Sequence, residues 1–95
     1  MIFEHFALNV NNPIEIAEWY SKNLEMKIVR KIDEAPFTHF LADKTGRVVF
    51  EVYNNPKAEI INPKSKHSLE FHLAFMVKNA EEVKNNLIQA GAVFE

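Results

Sequence analysis

His5, Glu51 and His72 are the residues of this 95-residue chain whose types and settings could carry chemistry. His5 opens the phrase His5-Phe6-Ala7-Leu8-Asn9-Val10, and His72 opens its counterpart, His72-Leu73-Ala74-Phe75-Met76-Val77. Each phrase runs through polar residues into a segment with helical periodicity, the mark of one supersecondary unit used twice. If the two units pack as equivalents, the two imidazoles meet on one side of a shared sheet. Glu51 lies in an alternating stretch where Phe50 and Val52 take one face and Val49, Glu51 and Tyr53 the other. A carboxylate there is expensive if buried unpaired. Two His and one Glu form an ordinary donor set for Zn, Ni, Fe or Mn. The plainer reading is that Glu51 points to solvent and each His is satisfied by a carbonyl. By spacing alone the plainer reading carries more weight, because separations this long match no compact ligand motif.

The elements that must position these residues follow from local pattern. Ile2 to Val10 reads as a strand with Phe6, Leu8 and Val10 on one face and His5, Ala7 and Asn9 on the other. Asn12 is placed to cap a helix, Pro13 suits its first turn, and Glu15 completes a capping box. Ile16, Ala17, Tyr20 and Leu24 then form the stripe of a helix laid on a sheet, with Trp19 and Tyr20 read as packing residues. Met26 to Ile32, Phe37 to Ala42 and Val48 to Tyr53 read as strands, the last two joined by an Asp43-Lys44-Thr45-Gly46 turn. A polar stretch with Pro56 and Pro63 links this unit to the second one. There Leu69 to Val77 reads as a strand, and Asn79 and Gly91 bound a helix with Val83, Leu87 and Ala90 inward. Ala92 to Glu95 reads as the start of a further strand.

The expected fold is therefore α+β. A βαβββ module over 1–56 and a linker over 57–68 precede an incomplete βαβ module over 69–95. Helices are expected on one face of its sheet. The order of elements leaves a sheet edge after Glu95, so a homodimer, a swapped assembly or a longer chain is expected to cover it.

Composition narrows the classes. A 47% apolar fraction with eight Phe indicates a packed interior, and a net charge of -2 offers no electrostatic footprint for nucleic acid or anionic lipid. No apolar run is long enough to span a bilayer, and no signal peptide is read after Met1. Without Cys, any metal must be held by N and O donors, and a cytoplasmic setting fits. His39 reads as a packing residue. His67 with Lys57, Lys64 and Lys66 reads as a solvated basic loop.

Several of these segments together resemble the glyoxalase/bleomycin-resistance/dioxygenase family, the vicinal oxygen chelate superfamily. They are the His5–Val10 phrase, Trp19-Tyr20, Leu24-Glu25-Met26, Val49-Phe50-Glu51-Val52-Tyr53-Asn54 and the run from His72 to Gly91. The resemblance covers essentially the whole chain and is closest to glyoxalase I. It implies paired βαβββ modules building a curved mixed sheet, a cleft holding a divalent metal (Ni, Zn, Fe or Mn), and a dimer. It implies His5, Glu51 and His72 as metal ligands and Glu51 as the carboxylate that moves a proton. Asn9 and Asn54 match substrate-gripping positions, although Asn9 stands where an Arg is common, and Tyr53 is a candidate cavity wall. Glu25 replaces a Gly usual after Leu in the family. The family's last-strand Glu has no counterpart, so weak metal binding and slow or absent turnover are expected.

Two functional readings result. One is a metal-dependent lyase or isomerase acting on a small α-hydroxycarbonyl or thiol adduct. The other is a metal-free small-molecule-binding protein of the bleomycin-resistance kind, with a dioxygenase-type member as a further alternative.

Overall fold

A computed structural model describes residues 1–94. In chain order it contains β1 (Phe6–Asn9), α1 (Pro13–Asn23), β2 (Lys27–Lys31), β3 (His39–Ala42), β4 (Val48–Tyr53), a single 3-10 turn (Pro63–Ser65) and α2 (Ala80–Gln89). The protein is α+β. Its four strands form one mixed sheet in the order β1-β4-β3-β2. β1 runs parallel to β4, and the β2-β3-β4 meander is antiparallel. No helix among the described residues is long and apolar enough to cross a membrane.

Alternation fixes which face each strand buries. Phe6 pairs with Phe50 and Leu8 with Val52, so these side chains share one face of the sheet, while Ala7 and Glu51 share the other. His39 pairs with Val52 and Leu41 with Phe50, which extends the apolar face across β3. α1 lies on that face. Its Ala17 is wholly buried, and Ile16, Tyr20 and Leu24 pack beside it on a core of Val10, Met26, Leu41, Phe50 and Val52. The Tyr20 ring meets Phe50 edge-on at 5.5 Å, and Phe6 stacks on Phe50 at 5.7 Å.

The caps differ from expectation at one end and agree at the other. Asn12 makes no side-chain capping bond, and its carbonyl alone receives the Ile16 N–H at 3.1 Å. α1 closes with Leu24 N–H on Tyr20 O at 3.0 Å, and Glu25 follows with φ 56. In α2 the Asn79 side chain accepts the Glu82 N–H at 3.1 Å, and Gly91 follows with φ 104. The turn between β3 and β4 forms as expected, with Gly46 N–H on Asp43 O at 2.9 Å and Gly46 at φ 86.

The second unit is less complete than its pattern suggests. Residues 71–77 form no strand, and neither do residues 92–94; Glu95 lies outside the described residues. The Glu70 and Phe71 N–H groups both turn back to His67 O, at 2.8 and 3.3 Å, and take the chain out of extended geometry. A strand needs a partner for its backbone groups, and an alternating apolar sequence cannot supply one by itself. Phe75 instead stacks on Tyr20 at 6.4 Å, and Met76 and Phe94 remain exposed. α2 is tied to α1 by the Trp19 indole N–H, which donates to Ala90 O at 3.0 Å.

Candidate functional site

The face of the sheet opposite α1 carries a row set by strand register. Ala7 faces Glu51 across β1 and β4, Glu51 faces Phe40 across β4 and β3, and Phe40 faces Arg30 across β3 and β2. A small Ala beside Glu51 leaves room above the carboxylate. His5, just before β1, fills that room. Its Nε2 stands 3.7 Å from Glu51 Oε1, and both side chains keep about a fifth to a quarter of their surface exposed, at 24% and 20%. The imidazole meets the Phe40 ring edge-on at 5.8 Å, and its Nδ1 is engaged by the Glu4 carboxylate. At the far end of the row the Arg30 guanidinium lies 5.9 Å from the Phe40 ring centre.

An imidazole nitrogen and a carboxylate oxygen at this spacing can do two things. They can share a proton, or they can bridge a divalent ion, since metal–ligand bonds of about 2.0–2.2 Å reach both atoms. The Glu4 contact on Nδ1 leaves Nε2 as the atom turned toward Glu51, the usual way an outer carboxylate orients a coordinating His. Two donors do not make a complete protein shell. No group of three or more His, Cys, Asp or Glu side chains suited to an ion occurs among the described residues.

His72 does not join the pair. Its Nδ1 lies 2.8 Å from Ser68 O, and it lines a cavity with Leu8, Val10, Phe50 and Val52. Those residues lie on the helix-covered face, so the sheet itself stands between His72 and Glu51. The expected symmetry between the two His depended on residues 71–77 entering the sheet as β1 does, and they do not.

The substrate-binding candidates divide in the same way. Tyr53 follows Glu51 on the open face and is half-buried. Asn9 is 6% exposed, and its amide is fully engaged by the following loop. Nδ2 donates to the carbonyls of Asn55, Ala58 and Glu59 at 2.8, 3.2 and 3.2 Å, and Oδ1 accepts the Asn55 N–H at 2.7 Å. Asn54 Nδ2 donates to Val10 O at 2.7 Å. Both amides thus fasten the end of β1 and β4 to the chain that follows. His39 is buried on the core side with Nδ1 2.8 Å from Phe37 O, a packing role as expected. His67 is exposed and accepts the Leu69 N–H at 3.0 Å.

A family model described as the Glyoxalase/Bleomycin resistance protein/Dioxygenase superfamily matches residues 2–92. The chain belongs to this superfamily. No curated protein and no solved structure matches it significantly. Superfamily membership accounts for the βαβββ order of the first half. Sequence reasoning missed Glu4, Phe40 and Arg30 as neighbours of that site. Period-2 alternation of Phe40 against Leu41 was the available signal for the second of these.

Proposed function

We propose that this superfamily member is a metal-dependent lyase or isomerase of the glyoxalase type, acting on a small α-hydroxycarbonyl or thiol adduct. The observation that carries the reading is the approach of His5 Nε2 and Glu51 Oε1 to 3.7 Å on the open face, in a row with Phe40 and Arg30. In this reading His5 and Glu51 would supply two of the donors to a divalent ion, with water or substrate at the remaining positions. Such an ion would supply Lewis-acid polarisation of the substrate. Glu51 is also the nearest candidate base, removing a proton beside the carbonyl and returning it to the neighbouring carbon. Phe40 shields one side of the imidazole from water, and Arg30 attracts an anionic adduct toward the open face. His72 takes part as a ligand only in a homodimer or swapped assembly that brings a second copy's segment over this face. The exposed Leu69, Met76, Val93 and Phe94 supply apolar surface for such an assembly.

The test is calorimetric titration of the purified chain with Ni, Zn and Mn, beside turnover of the methylglyoxal–glutathione adduct. One ion per chain is expected, weakened at least about tenfold by Glu51→Gln or His5→Ala, in keeping with the loss of one first-sphere donor. Metal uptake unchanged by both substitutions sinks the site. Absence of uptake together with absence of turnover favours the metal-free binding reading.

A further inference from the structure

The cavity that His72 lines has a volume of about 480 Å³ and is open to solvent on one side. That size lies within the range of small-molecule sites, about 300–1,000 Å³. Its floor is the sheet, through Leu8, Val10, Phe50 and Val52, and its walls include Leu73 and Leu87. No Lys, Arg, Asp or Glu lines it among the described residues, so an ionised ligand would lose hydration there with no compensating charge.

Polar groups at the walls are few and specific. Ser68 O can only accept, so His72 Nδ1 donates in that 2.8 Å bond, and in the tautomer with that single ring proton Nε2 is an acceptor. The Tyr20 hydroxyl has no hydrogen-bond partner among the described residues, and burial raises its pKa, so it stays a neutral donor and acceptor. Trp19 offers only its ring, because its N–H is held by Ala90 O. The stacked Tyr20 and Phe75 rings give one wall an aromatic surface.

We infer that this cavity is a second binding site, for a small uncharged ring compound bearing one hydroxyl, a phenol or a cyclic alcohol. Such a hydroxyl would donate to His72 Nε2 and accept from the Tyr20 hydroxyl, while the ring replaces water against the partly exposed Leu8, Leu73, Leu87 and Phe75 side chains. The site lies on the face opposite His5 and Glu51, so it is independent of that pair, and it needs residues 71–75 in the place they hold in the single chain.

The experiment is amide NMR titration of the full chain with p-cresol and with toluene, which share a ring and differ by the hydroxyl. Saturable shifts are expected at Leu8, Val10, Leu73 and Leu87, with p-cresol about 5- to 150-fold tighter than toluene, as two net hydrogen bonds give. His72→Phe and Tyr20→Phe should each narrow that preference while leaving toluene binding in place. His72 is exposed and Tyr20→Phe removes only an oxygen, so both variants are expected to fold. Equal affinity for the two compounds overturns the proposal. So does a preference that survives both substitutions, or binding that maps to Phe40 and Glu51. Shifts at the same amides that follow protein concentration rather than either compound also overturn it, because a second copy then covers the cavity.

Discussion

Replacing Glu25 by Gly should stabilise the protein, and the size of the gain can be worked from the backbone. Glu25 follows α1 with φ 56, in the left-handed region. A side chain there costs about 1–2 kcal/mol relative to a right-handed residue. Gly escapes that strain but loses more chain entropy on folding, by about 0.5–1 kcal/mol. The difference leaves a net gain of about 0.5–1 kcal/mol. For a domain of this size that raises Tm by about 2–8 °C. Glu25 is exposed, and no hydrogen bond to its side chain occurs among the described residues, so little opposes the gain. The second unit provides an internal comparison, because Gly91 occupies the matching position after α2 with φ 104 and nothing within 4 Å of an added Cβ. Thermal and urea melts of Glu25→Gly and Glu25→Ala, followed by circular dichroism, separate the causes. Ala keeps the strained Cβ and should gain much less than Gly. Equal gains from the two substitutions, or a loss with Gly, would refute the conformational argument.

Two further outcomes follow from burial and hydrogen bonding. Asn9→Ala should destabilise by about 1–3 kcal/mol in urea melts, because it removes the partner of the part-buried Asn55 carbonyl and N–H and of the Ala58 and Glu59 carbonyls; a loss under about 0.5 kcal/mol would mean that water replaces the amide freely. Burial raises the Tyr20 phenol above its ordinary 10.0, so the unfolded chain releases its proton first. The Tyr20 contribution is therefore fully present below about pH 10 and is lost as pH rises through the folded value. Alkaline melts of Tyr20→Phe should lack that part of the decline, and an identical decline in both proteins would contradict the assignment.

Much of the first half was legible because its signals are local. Period-2 alternation put Phe6 and Leu8 on one face of their strand and Phe50 and Val52 on one face of theirs, and Gly46 marked the β3–β4 turn. The same alternation put Glu51 and His5 on the opposite face, where the structure brings them together. His72 was misplaced because its position depended on strand pairing, which no local pattern guarantees. The tasks of Asn9 and Asn54 were hidden for a related reason. The partners of Asn9 lie in the loop of residues 55–59 and that of Asn54 is Val10 O at the end of β1, and both are brought near by tertiary contacts. The row from Ala7 to Arg30 depends on register, which shifts between Ile28 and Arg30 and again between Leu41 and Ala42. A bulge moves every later neighbour by one place, and alternation counted along one strand does not reveal it.

The parallel pairing of β1 with β4 has a consequence for the order of folding. The β2-β3-β4 meander joins neighbours in sequence and closes only short loops. β1 can reach β4 only by closing a loop of roughly forty residues, whose entropy cost must be met before any pairing rewards it. The meander with α1 is thus the natural nucleus, and β1 docks late. Glu51 sits inside that nucleus and His5 arrives with the last strand. The imidazole–carboxylate contact then forms at the final step, and His5 can report on completion of the fold in refolding followed by NMR.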